Sequence, residues 1–182
     1  MRLSDLNRSL IAPEEARVLK PSFQLIQSPR LLRGTESPPA TFEVEVFNFV
    51  FANRERLGVS SITRCRNVRV DGLIDLADGQ RLALEVKYRM NWEKACQACS
   101  QFSWFVKRAD AVERPVDGAI VVFRDFSADW ARRSPSRLLE NGWNYWYTDH
   151  HEVEGRPCNL VRLRDGTLES FPLALEAARG RL

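Results

Sequence analysis

Two runs of apolar–polar alternation, separated by a three-residue turn, constrain this chain more than any other feature. In the first, Val68, Val70, Ile74 and Leu76 alternate with Asn67, Arg69, Asp71 and Asp75. In the second, Leu82, Leu84 and Val86 alternate with Arg81, Glu85 and Lys87. A period of two is the mark of a strand with one buried face, and Ala77-Asp78-Gly79 between the runs predicts a β-hairpin. A two-residue Asp78-Gly79 loop would place Asp71 opposite Val86 and mix apolar and polar side chains across every pair. A three-residue loop, with Gly79 in the left-handed position of a G1 bulge, pairs Leu76 with Gln80, Asp71 with Glu85 and Arg69 with Lys87. Because a one-residue slip turns a whole face over, the pattern selects the second register.

That register has a chemical consequence. Two carboxylates, Asp71 and Glu85, meet across neighbouring strands with an ammonium group, Lys87, two residues further on the same face. Carboxylates so close raise one another's pKa unless positive charge lies between them. A divalent cation meets this need, and Mg²⁺ in particular takes one or two carboxylates, water and substrate phosphate. A metal there lowers the pKa of a bound water and offsets charge building on phosphorus, while a neighbouring lysine orients the water or steadies the phosphate.

Val70-Asp71-Gly72, a hairpin, and Glu85-Val86-Lys87 together resemble the D…ExK motif of the PD-(D/E)XK, or restriction-endonuclease-like, nuclease superfamily. The likeness covers roughly residues 41–124. It implies an α/β fold with a restriction-endonuclease-like core: a mixed central β-sheet flanked by helices. It implies Asp71, Glu85 and the Val86 carbonyl as ligands of Mg²⁺, with Mn²⁺ able to substitute, and Lys87 at the attacking water. A glutamate from a preceding helix is matched best by Glu43, and a glutamine from the following helix by Gln101, with Gln97 as its rival. The implied activity is that of an endonuclease on DNA, with RNA as the second candidate substrate. No proline precedes Asp71, and Asp75 competes for the aspartate role. Asp71 is preferred because it pairs directly with Glu85, whereas Asp75 faces Arg81.

The remaining elements follow from periodicity. Residues 41–57 read as a helix ended by Gly58, and Asn91–Arg108 as a helix with the apolar stripe Trp92, Ala95, Cys96, Cys99, Phe102 and Val106. Gly118–Phe123 reads as a central strand, Asp129–Leu139 as a short helix and Trp143–Thr148 as another strand. Asn159–Arg164 and Thr167–Phe171 flank Asp165-Gly166 and predict a C-terminal hairpin. X-Pro steps at Pro13, Pro21, Pro29 and Pro38-Pro39 break up residues 1–40, which are expected to form an arm or linker with short helical pieces at 4–10 and 13–20. Residues 41–182 then form the nuclease-like domain, with a core at 41–124 and an elaboration at 125–182.

The formal net charge of +3 is compatible with a polyanionic partner without demanding one. No apolar run approaches the length of a membrane helix and the N-terminal stretch has no h-region, so no membrane association and a soluble, cytoplasmic protein are expected. Termini that match nothing in the family suggest a protein partner for targeting or restraint. Two other functions stay open. One is a catalytically inactive nucleic-acid-binding or assembly module on the same fold. The other is a regulatory protein whose Cys65, Cys96, Cys99 and Cys158 hold zinc or an iron–sulfur cluster. Buried structural thiols are the simpler reading of those cysteines. His150-His151 are read as solvated loop residues, and Trp143, Tyr145, Trp146 and Tyr147 as core packing ahead of base stacking.

Overall fold

The computed structural model describes residues 21–108, 115–128, 152–162 and 171–179. They form an α/β protein with a mixed sheet between two helical layers. The described elements are β1 (Ser22–Leu25), α1 (Pro38–Ala52), α2 (Arg54–Leu57), β2 (Val59–Arg66), β3 (Gly72–Leu76), β4 (Arg81–Met90), α3 (Trp92–Lys107), β5 (Gly118–Phe126), β6 (Glu152–Val153), β7 (Arg156–Arg162) and α4 (Phe171–Ala178). The strand order is β1-β2-β3-β4-β5-β7-β6. Strands β1 to β4 pair antiparallel, whereas β4–β5 and β5–β7 are parallel. The chain enters the first parallel pair through α3, as a parallel connection requires.

Alternation along the central strands feeds two cores. Leu82, Leu84, Ile120 and Val122 pack against Phe42, Val46 and Val50 of α1 and Phe171 and Leu175 of α4. Leu73, Ala83, Val121 and Phe123 pack on the opposite face against Ala95, Ala98, Phe102 and Phe105 of α3. The expected stripe of α3 is therefore rotated: Cys96 is exposed, and Ala98 and Phe105 are buried in its place. Asn91 caps the helix, its side chain accepting from the Lys94 N–H at 2.8 Å.

The hairpin has the three-residue loop. Asp75 pairs with Arg81 and Gly72 with Leu84. The Leu76 N–H donates to the Gln80 carbonyl at 2.8 Å, and Gly79 has φ +91°, a conformation that L side chains rarely adopt. The paired stretch is shorter than the alternation suggested. β3 begins at Gly72, residues 67–71 are bent, and Arg69 is not laddered opposite Lys87. Its guanidinium lies over the Trp104 ring of α3, 5.5 Å from the centroid.

Helix α1 starts at Pro38, earlier than residue 41, because proline is tolerated in a first turn whose N–H groups lack helical partners anyway. Gly58 ends α2 with φ +64°. β1 adds residues 22–25 to the sheet edge, so this part of the expected arm is joined to β2. Of the expected C-terminal hairpin, residues 159–162 lie in β7 and Phe171 does not lie in a strand. β7 pairs with β6, across Glu154 and Gly155 at φ +54° and +72°, and Phe171 opens a helix instead of closing a strand. Two successive positive φ values suit the tight turn of a two-residue hairpin, and Pro172 falls in the first turn of α4. The short helices at 4–10 and 13–20, the helix at 129–139, the strand at 143–148, His150-His151, and the Asp165-Gly166 turn with 167–170 lie outside the described residues. Among the described residues no helix is long and apolar enough to cross a membrane.

Candidate functional site

The middle of β4 and the entrance to β3 bring Asp71, Glu85 and Lys87 together, with Glu85 and Lys87 on the α3 face of the sheet. The Asp71 N–H donates to the Leu84 carbonyl at 3.0 Å, and its carbonyl accepts from the Cys65 N–H at 2.8 Å, so both neighbouring strands hold its backbone. Its side chain then replaces the next rung of the ladder: Asp71 Oδ2 accepts from the Val86 N–H at 2.8 Å. Gly72, the next residue, admits no side chain. A Cβ there would lie 2.7 Å from the Phe47 ring of α1 and 2.8 Å from the Thr63 carbonyl oxygen.

Glu85 is 6 % exposed, an unusual depth for a carboxylate. Its Oε1 accepts from Lys87 Nζ, whereas Oε2 is buried with no hydrogen-bond partner among the described residues. Burial, and then the Asp71 carboxylate, push Glu85 up to about 7 against the countering Lys87 charge. Burial likewise raises Asp71 above the ordinary carboxylate range, opposed by the Val86 N–H and the Lys87 and Arg64 charges and reinforced by Glu43. The two acids thus share a site in which full ionisation lacks sufficient compensation.

Gln101 of α3 lies beside this group, with Oε1 3.4 Å from Lys87 Nζ, while Gln97 is exposed. Glu43 of α1 acts on Asp71 electrostatically, but its own carboxylate is held by Arg64 at 2.5 Å. Asp75 is separate from the group. Arg81 Nε donates to it at 2.6 Å and the Ser61 hydroxyl donates to it at 2.6 Å. The sequence reading missed Arg64, which pairs with Glu43 and bears on Asp71, and gave Gly72 no structural role beyond its place in the motif.

The cysteines divide between several environments. Cys65 is buried, and burial followed by the Asp71 charge pushes its thiol up to about 12. Cys158 is buried in β7, where the Cys99 thiol of α3 and burial raise its pKa. Cys96 is exposed. Among the described residues no group of three or more His, Cys, Asp and Glu side chains is placed to hold a metal. Asp71 and Glu85 are a pair, the number of carboxylates a largely hydrated Mg²⁺ commonly takes from a protein.

Comparison of the chain with protein-family models, with curated proteins and with solved structures returns no match.

Proposed function

We propose that this chain is a metal-dependent phosphodiesterase, an endonuclease of the PD-(D/E)XK kind, acting on DNA, with RNA as the second candidate. The observation that carries the reading is the meeting of Asp71 and Glu85 in a buried site beside Lys87, with Glu85 Oε2 unpartnered among the described residues. The order of α1, antiparallel β2–β3–β4, α3 and parallel β5 supports a restriction-endonuclease-like core. The donor chemistry fits Mg²⁺: two mutually repelling carboxylates, one with an orphaned oxygen, on a strand that also offers the Val86 carbonyl.

When bound by Asp71, Glu85 and the Val86 carbonyl, Mg²⁺ supplies Lewis acidity, easing deprotonation of water and offsetting charge on the phosphoryl oxygens. The side chains do the rest. The Val86 N–H fixes the orientation of the Asp71 carboxylate. Lys87 offsets the charge on Glu85, and in this reading its ammonium orients the attacking water and stabilises the pentavalent phosphate. Gln101 restricts the ammonium from the α3 side. Burial of Glu85 keeps bulk water from screening these charges.

The test is cleavage of circular single- and double-stranded DNA and of RNA with Mg²⁺ or Mn²⁺, against a chelator control and Lys87→Ala. Metal-dependent cleavage by the wild type, lost in Lys87→Ala, is the expected outcome. Indistinguishable wild type and variant on every substrate would leave a binding module instead.

A further inference from the structure

A second feature shares the α1 side of the sheet with Arg64. The segment after β1 returns across α1 and leaves a cleft of about 620 Å³ lined by Arg30, Arg33, Arg64 and Arg66, with no acidic residue in its wall. The cleft is firmly built. The Asn48 side chain of α1 brackets the Arg30 backbone, accepting from its N–H and donating to its carbonyl, both at 2.9 Å. The Ile26 N–H donates to the Ile62 carbonyl at 2.9 Å, fixing the other side to β2.

The charge is not cancelled. Glu36 pairs with Arg30 and Glu43 with Arg64, both from outside the lining. Arg33 and Arg66 have no carboxylate partner among the described residues and are exposed. Planar guanidinium groups on a concave, open surface match phosphate oxygens better than they match point-like anions. The position also matters. Arg64 pairs with Gly72, the residue after Asp71, and its charge bears on the Asp71 carboxylate, so one wall of the cleft lies within electrostatic reach of the site at the entrance to β3.

We propose that this arginine-lined cleft holds the phosphodiester backbone of the nucleic acid, with Arg33 and Arg66 contacting phosphates flanking the one at Asp71 and Glu85. The proposal rests on the nuclease reading for its ligand and adds the path that the strand takes. The contacts are to the backbone and carry no base information, so they contribute affinity that is uniform across sequences and sensitive to salt.

Fluorescence anisotropy with a labelled DNA duplex, in chelator to prevent cleavage and over a range of salt, tests it. Replacing both exposed residues (Arg33→Gln with Arg66→Gln) should weaken binding and flatten the slope of log Kobs against log salt by roughly 2. Arg64→Lys, which keeps the charge near Asp71 and Glu43, should weaken binding less than the double variant. Melting temperatures within a degree or so of wild type establish that each variant is folded. Unchanged affinity and slope in the folded double variant, or no measurable binding by wild type, overturns the proposal. The two readings fail separately. Binding that depends on the arginines without any cleavage retains the cleft and removes the nuclease. Metal-dependent cleavage with arginine-independent binding does the reverse.

Discussion

The carboxylate of Asp71 accepts the backbone N–H of Val86, the residue between Glu85 and Lys87. One acid is therefore oriented by the peptide that carries the other two polar groups. A ladder bond that continued past Leu84 would have left Asp71 as an ordinary strand residue. Here the ladder stops one step early and a side chain completes it.

This arrangement separates Asp71 from Asp75. Asp71→Asn keeps an oxygen that can accept from Val86, so the fold should persist while metal-dependent cleavage falls by about two orders of magnitude or more. Asp75→Ala should retain cleavage within a few-fold and lose stability by on the order of 1–3 kcal/mol, because Arg81 is left partly buried without its carboxylate. Parallel plasmid-cleavage and urea-unfolding measurements check both. Loss of cleavage in folded Asp75→Ala with activity retained in Asp71→Asn would reverse the roles.

Stability without metal should depend on pH through Glu85. Its folded pKa of about 7 lies above its unfolded value of 4.5. The folded state thus binds this proton more tightly, and the favourable contribution is complete below pH 4.5 and lost as pH rises to about 7. The full effect is up to roughly 3 kcal/mol. Glu85→Gln removes it, so the stability difference between variant and wild type in chelator should grow between pH 5 and pH 8. A difference that is flat over that range contradicts the assigned environment. Millimolar Mg²⁺ at pH 8 should narrow the gap by stabilising only the wild type.

Gly72→Ala should be costly despite adding a single methyl group. The new Cβ meets both the Phe47 ring and the Thr63 carbonyl oxygen at under 3 Å. Relaxation moves β3 or α1, at about 1–3 kcal/mol. Phe47→Leu in the same chain should recover only part of the loss, because the backbone oxygen remains. Chemical denaturation of the single and double variants measures this, and full recovery would show that the ring alone was the obstacle.

Gly79→Ala tests the hairpin turn independently of the chemistry. At φ +91° an alanine is strained, and a cost of about 1–3 kcal/mol is expected. Cleavage by the folded fraction should be unchanged, since the turn is five or more residues from Asp71 and Glu85. A fall in specific activity at full folding would mean that the turn controls the register of the site more loosely than the ladder suggests.

The hairpin register was legible in the sequence because alternation dominates both strands, broken only at Gly72-Leu73 and Ala83, and the turn contains its glycine. The nearness of Asp71 to Glu85 followed from that register, although the ladder itself begins only at Gly72. β2 was not legible. A bulge between Val59 and Ser61 shifts its register, so Val59 and Ile62 face one core and Cys65 the other, at spacings that fit neither a strand nor a helix. Arg64 was hidden with it, and so was the arginine cleft, which depends on contacts between Arg30 and Asn48 far apart in the chain. The early end of the β3 ladder was equally invisible, because it results from a side chain competing for a backbone donor. At the C-terminus only Phe171 departs from the expectation: it opens α4, with Pro172 in the first turn, where the alternation had extended a strand to it.

At Gly72 the spacing between α1 and the sheet is set by one phenyl ring, that of Phe47, brought up against bare backbone. The polar groups are on the other side of that sheet. Their alignment is therefore gauged from behind, and a change to the helix that never touches a carboxylate can still retune the chemistry by tilting the floor on which it stands.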